Sequence, residues 1–129
     1  MITDPLVRAF ENATIDPRQF HHREHLYVAW CYLRSLPPEQ AVARYVQHLR
    51  KLVEVLGVPQ KFHATITWAY VVLLHDAMER SPDLDFDALL AKNPALLDSK
   101  AGVLYEHYDR RQLESDEARS RFVLPRLSR

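Results

Sequence analysis

The chain has 129 residues, of which 47% are hydrophobic and 26% are charged, as in an ordinary soluble globular protein. Its 17 basic side chains balance its 17 acidic ones, so no excess charge favours nucleic acid or an anionic membrane as a partner. Only two glycines occur, and no Gly-rich phosphate loop is present. Dinucleotide-binding and P-loop nucleotide proteins are therefore excluded on motif grounds.

The remaining composition predicts one cytoplasmic domain over residues 1–129. The single cysteine, Cys31, allows no intrachain disulfide and favours a reducing compartment. Residues 1–5 show neither the basic start nor the apolar run of a signal peptide. The longest apolar run, over 68–74, is too short to span a bilayer, so no membrane partner is expected.

Prolines divide the first part of the chain into predicted helices. Asp4-Pro5 has the form of an N-cap followed by a first-turn proline, and it predicts a short helix to about residue 12. Asp16-Pro17 repeats this signal and predicts a longer helix that ends near Leu36, before two prolines. Apolar residues then recur every three or four positions over 42–56, which predicts a helix ended by Gly57 as its C′ residue.

The second half of the chain also shows helical patterns. A helix predicted over 61–80 is apolar nearly all the way round, which indicates that other helices surround it. Shorter helices are predicted at about 86–92 and 95–107, with a last turn from a cap at Ser115 to Arg121 before an extended segment over 122–125. No alternating pattern indicates a strand. The predicted fold is all-α, a compact single-domain helical bundle with three long helices and several short ones.

Three histidines are the strongest candidates for a functional site. His22 and His25 lie three residues apart at the start of the second predicted helix and point into its apolar face. His63 begins the most apolar helix. A buried imidazole needs partners for its two ring nitrogens, and this requirement falls on all three residues at once.

The first interpretation of these histidines is a metal site. Neutral imidazole is a common ligand of zinc, iron and copper, and His22 and His25 on neighbouring turns can share one divalent ion. His63 is the third candidate ligand and leaves coordination open to water or substrate. If the protein is an enzyme, it is then expected to be a metal-dependent hydrolase or oxidoreductase acting on a small molecule. His21-x-x-Glu24-His25 also matches the inverted zinc-protease motif, but the helix phase favours His22 over His21 as the inward residue.

Two alternatives use the same residues without a metal. The histidine-lined pocket also suits a metal-free small-molecule-binding or acid–base protein, because histidine titrates near neutral pH. Thr67, one turn after His63, is a candidate ligand-binding residue, and Tyr70 and Trp30 are candidate aromatic walls that would also fit a core role. If the histidines are structural, the chain is instead a helical protein-interaction module.

Arg119 is a further candidate ligand-binding residue, near the end of the chain. It lies one turn after the possible cap at Ser115, where its guanidinium can clamp a substrate carboxylate in bidentate fashion. The alternative for Arg119 is a surface ion pair.

Three blocks of sequence resemble those of a known family. The blocks are Phe20-x-His22-x-x-His25-Leu26-x-x-Ala29-Trp30, Lys61-Phe62-His63-x-Thr65-Ile66-Thr67 and Ser115-x-x-Ala118-Arg119-x-x-Phe122-Val123-x-Pro125. In combination they resemble a family of small, mostly uncharacterised bacterial proteins, over most of the chain. The resemblance implies roles for His22, His25, His63, Thr67 and Arg119, but no particular reaction. The family's last block usually continues Pro-Asp, whereas Arg126 follows the proline here.

Overall fold

The computed structural model of the protein describes residues 2–98, 100 and 102–125. The predicted all-α class is confirmed, because these residues form helices and turns without a strand. The α-helices are α1 (Pro5–Glu11), α2 (His22–Ser35), α3 (Pro38–Val55), α4 (Ala64–Arg80), α5 (Phe86–Lys92), α6 (Arg110–Leu113) and α7 (Asp116–Ser120). Short 3₁₀ turns cover Pro17–Gln19, Pro59–Lys61, Pro94–Leu97 and Gly102–Glu106.

The start of α2 differs from its prediction. The segment Pro17–Gln19 forms only a 3₁₀ turn, capped by the Asp16 side chain, and the backbone is extended at His21 before α2 begins at His22. The Glu24 carboxylate accepts a hydrogen bond of 2.8 Å from the backbone N–H of His21. This contact stabilises the first turn of α2 by satisfying an N–H that the helix itself leaves unpaired.

Helix ends around the α3–α4 connection follow local capping rules. Gly57 has φ +76°, so it is the C′ residue of α3 as the sequence predicts. The Pro59–Lys61 turn then separates the helices, and α4 begins at Ala64 rather than at Lys61. His63 is the N-cap of α4, because its side chain accepts a hydrogen bond from the N–H of Ile66.

The prediction of one helix over residues 95–107 is wrong. Two 3₁₀ turns replace it, over Pro94–Leu97 and Gly102–Glu106. The Asp98 carboxylate between them accepts the backbone N–H groups of Lys100 at 2.9 Å and Gly102 at 3.1 Å, which favours a turn over a continuing helix. The short helix α6 was not predicted, whereas α7 begins after Ser115, as expected from its capping side chain.

The core positions α2, α3 and α4 side by side. These three helices pack against one another, and a hydrophobic core connects residues from Val7 to Val123. Tyr32, Leu52 and Leu74 contribute one side chain from each helix and are at most 2% exposed. Burying each of them stabilises the fold by about 1.5–3 kcal/mol relative to exposing it. None of the described helices is both long enough and apolar enough to cross a membrane.

Candidate functional site

A cavity of about 440 Å³ lies where the first parts of α2 and α4 face the middle and the end of α3. Its walls are mainly apolar, formed by side chains that include Phe20, Leu26, Ala29, Leu49, Leu52, Val53, Phe62, Ile66 and Val71. The polar residues that line it are His22, His25, Tyr45, Lys61, His63, Thr67 and Tyr70. We call this cavity the histidine pocket. The structure thus brings together the three histidines that the sequence singles out.

His63 has partners for both of its ring nitrogens. Its Nδ1 accepts the backbone N–H of Ile66 at 3.1 Å, so the proton of the neutral ring is on Nε2. That Nε2–H donates to the carbonyl oxygen of Leu113 at 2.7 Å. Burial lowers the pKa of His63. The hydrogen bond to Leu113 opposes this shift, and the positive charge of Arg119 adds to it. His63 is therefore a neutral residue that caps α4 and connects it to α6.

His22 connects α2 to the segment after α5. Its Nε2 lies 2.7 Å from the carbonyl oxygen of Leu96, and since a carbonyl can only accept, this nitrogen carries the proton. The ring also packs edge-on against Tyr70, with 4.7 Å between ring centroids. The Tyr70 hydroxyl donates to the carbonyl of Asp98 at 2.7 Å. Both side chains thus hold the segment 96–98 against the histidine pocket.

The polar contact of His25 is longer than those of His22 and His63 and is made with a side chain rather than with a backbone carbonyl. Its Nδ1 lies 3.2 Å from the hydroxyl of Tyr45 on α3, and its ring packs on Phe20 with 4.1 Å between centroids. The pKa of His25 is lowered to about 4, mainly by burial and in part by the neighbouring His22, while Glu24 partly offsets the shift. Burial also raises the pKa of Tyr45. Both residues are therefore neutral at pH 7.

The predicted metal site is wrong. Within the described ranges 2–98, 100 and 102–125, no group of three or more His, Cys, Asp or Glu side chains is placed to hold a metal ion. The physical reason is that His63 uses both ring nitrogens and His22 uses its Nε2 in hydrogen bonds to the protein backbone. No three-histidine set remains, whereas a catalytic zinc takes three protein ligands. The predicted metal-assisted hydrolysis or oxidation relied on this three-histidine site and is therefore not supported by the structure.

The other predicted ligand-binding residues lie in different places. Thr67 lines the histidine pocket, where its hydroxyl donates to the backbone oxygen of His63 at 2.7 Å. Tyr70 also lines it. Trp30 lies away from the pocket lining and packs instead against Tyr27 and Phe86 in the core. Arg119 is exposed, outside the histidine pocket, and donates to the backbone oxygen of Gln60 at 2.8 Å.

Two polar features were missed by sequence reasoning. One is Tyr45, which follows the apolar spacing of α3 and so has the pattern of an ordinary core residue. The other is Glu11 at the end of α1, whose carboxylate accepts hydrogen bonds from Tyr32 and Arg44. The only sequence signal for either is a polar atom on an apolar helix face, which requires a partner without saying which one.

No protein-family model, no curated protein and no solved structure matches this chain. The resemblance of its three sequence blocks to a bacterial family therefore stays a prediction, and the functional argument depends on the geometry of the pocket.

Proposed function

We propose that this protein binds a small, mostly apolar molecule with one neutral hydrogen-bonding group, in the histidine pocket and without a metal. The observation that supports this proposal most is the His25–Tyr45 pair, which is polar and neutral and lies in a mainly apolar pocket. Ligand sites of this kind combine a hydrophobic lining with a few polar groups that orient the ligand.

The His25–Tyr45 pair suits a hydroxyl, carbonyl or amide on the ligand. If the Tyr45 hydroxyl donates to Nδ1 of His25, the pair keeps the Nε2–H as a donor and the phenol oxygen as an acceptor. If Nδ1 donates instead, the phenol O–H is the donor offered to the ligand and the unprotonated Nε2 is the acceptor. A neutral ligand group gains a hydrogen bond in either arrangement and leaves no charge desolvated.

The same electrostatics favours binding over acid–base catalysis. A general base works best when its pKa lies near the working pH, and burial holds the pKa of His25 at about 4. His63 has no free lone pair for a substrate proton, since both of its nitrogens are already hydrogen-bonded. The chemistry proposed for the pocket is therefore recognition of a neutral molecule.

The proposal also includes two predictions from the sequence, the compact bundle with three long helices and the location in the bacterial cytoplasm. It treats α2, α3 and α4, with 14, 18 and 17 residues, as the long helices of one compact bundle that holds the pocket walls. It also places the protein in the bacterial cytoplasm, where a buried free thiol such as Cys31 stays reduced.

The test is a titration of ¹⁵N-labelled protein at pH 7 with 2-naphthol and with indole, both neutral and aromatic. We expect saturable amide shifts at residues around the pocket, such as Thr67. Ala29→Leu, which fills part of the cavity, should weaken binding, whereas Ala43→Leu on the exposed face of α3 should not. No saturable shift with either probe, or equal affinity in both variants, would contradict the proposal.

A further inference from the structure

A second depression, of about 490 Å³, lies on the surface between the end of α3, the Pro59–Lys61 turn and α7. Its lining residues are Arg50, Val53, Glu54, Pro59, Gln60, Phe62, Arg119 and Ser120. We call it the arginine groove. Two different helices each bring one arginine to it, Arg50 from α3 and Arg119 from α7. Val53 and Phe62 separate it from the histidine pocket, since both residues line both cavities.

Each arginine of the groove is held by an uncharged partner. The Arg50 guanidinium lies over the ring of Phe62, with 4.3 Å between its central carbon and the ring centroid. The Arg119 Nη1 donates to the carbonyl oxygen of Gln60 at 2.8 Å. A cation–π contact and a bond to a neutral carbonyl position a guanidinium without neutralising its charge.

Neither arginine forms an ion pair with an acidic side chain in the part of the chain that the structure describes. Among the described residues, six arginines elsewhere are paired in this way, and they are Arg18, Arg23, Arg44, Arg80, Arg110 and Arg121. Glu54 also lines the groove, one helical turn after Arg50, but none of the ion pairs among the described residues joins it to either arginine. The groove thus keeps two positive charges, each positioned by one contact, that lack an ion-paired carboxylate among these residues.

We infer that the arginine groove binds a small organic anion whose carboxylate or phosphate group lies between Arg50 and Arg119. The planar guanidinium presents paired N–H donors that match the oxygens of both groups. Phe62 offers an apolar surface beside them for the organic part of the ligand. Glu54 repels the anion, so it limits affinity and favours ligands of low charge. This site is separate from the proposed function of the histidine pocket.

The test uses ¹⁵N-labelled protein titrated with benzoate and with phenyl phosphate, with benzyl alcohol as the uncharged control. Saturable amide shifts are expected at Gln60 and Ser120 with at least one anion and not with the alcohol. The tighter of the two anions identifies the carboxylate or the phosphate as the preferred group. Arg50→Gln and Arg119→Gln should each weaken that binding about tenfold, the effect of losing one charge-assisted hydrogen bond. Glu54→Gln should strengthen it.

Arg34→Gln is the matched control. Arg34 is exposed, lies over the ring of Trp30 at 4.7 Å and has no carboxylate partner among the described residues, but it is outside the groove. Circular dichroism checks that each variant keeps its helices. An anion affinity that falls equally in Arg34→Gln, or that stays unchanged in Arg50→Gln and Arg119→Gln, would overturn the inference. So would the absence of saturable shifts with both anions.

Discussion

The Nδ1 atom of His25 lies 3.2 Å from the hydroxyl oxygen of Tyr45, and this contact joins α2 to α3 inside a largely apolar cavity. Twenty residues separate the two in sequence. The lowered pKa of His25 and the raised pKa of Tyr45 keep both side chains neutral, so a ligand that enters the pocket meets a neutral donor and a neutral acceptor at this place.

Tyr45→Phe tests what this contact contributes. The variant removes the hydroxyl and leaves the apolar packing nearly intact, so we expect a loss of about 1 kcal/mol in the free energy of unfolding, measured by urea denaturation. Binding of 2-naphthol should weaken as well. Tyr105→Phe is the control, because the contact of the Tyr105 hydroxyl with Glu114, at 3.3 Å, is exposed to solvent. Equal losses in the two variants would argue against a special role for Tyr45.

Stability should fall as the pH drops from about 6.5 to about 4, because of His25. Its folded-state pKa is about 4, below its ordinary value of 6.5, so the unfolded chain binds the proton first. Stability is then complete above the unfolded pKa and declines until the pH reaches the folded pKa. The full loss from this one group is about 3 kcal/mol. Urea unfolding at several pH values measures it.

The control for the pH experiment is a pair of variants. His25→Phe should remove most of the decline between pH 6.5 and 4 and leave the part that His63 contributes, because burial lowers the pKa of His63 as well. His21→Gln should leave the whole decline in place, because the His21 side chain is 72% exposed. The assignment to His25 would be refuted if His25→Phe retained the whole decline.

Glu11 is expected to stabilise the contacts that α1 makes with α2 and α3. Burial raises the pKa of Glu11, but the hydrogen bonds from Tyr32 and Arg44 lower it more, and the net pKa lies below 4.5. This contribution is present above the unfolded-state pKa and disappears as the pH falls through the folded-state pKa. At pH 7, Glu11→Gln should cost about 2 kcal/mol of unfolding free energy.

Glu114→Gln is the matched comparison for Glu11→Gln. Glu114 pairs with Arg110 on the surface and its side chain is 58% exposed, so its replacement should change stability by less than about 0.5 kcal/mol. Denaturation curves of both variants at pH 7 decide the point. A loss in Glu114→Gln as large as in Glu11→Gln would contradict this view of Glu11.

His63→Ala should destabilise the protein by about 2 kcal/mol, since it removes both the N-cap of α4 and the bond to Leu113. His107→Ala is the control, because His107 is exposed. The parent protein and His63→Ala differ in melting temperature without metal, and added zinc should not widen this difference. A larger zinc-dependent stabilisation of the parent would contradict the structural role given to His63.

The sequence predicts local features of this protein better than its site. Asp4, Gly57 and Ser115 are caps that act within a few residues, and the structure has all three where the sequence expects them. The partners of the histidines are different, because they are backbone carbonyls far along the chain. His22 bonds to Leu96, 74 residues away, and His63 to Leu113, 50 residues away.

This distance explains why the sequence alone favours metal ligands as the role of the histidines. The requirement for partners can be read from one helix face, but the identity of the partners depends on how the segments after α4 fold back. Arg119 shows the same limit. The sequence marks it as a candidate ligand-binding residue, like Thr67, yet α7 carries it to the opposite side of Phe62 and Val53 from the histidine pocket, in the arginine groove.

The most direct test of the central claim is to locate a bound neutral probe by intermolecular nuclear Overhauser effects. With 2-naphthol at saturation and methyl-labelled protein, the account predicts contacts from the probe to the methyl groups of Ala29, Leu49 and Val71, which line the histidine pocket. Contacts confined to methyl groups outside the histidine pocket, or no contacts at saturating probe, would contradict it.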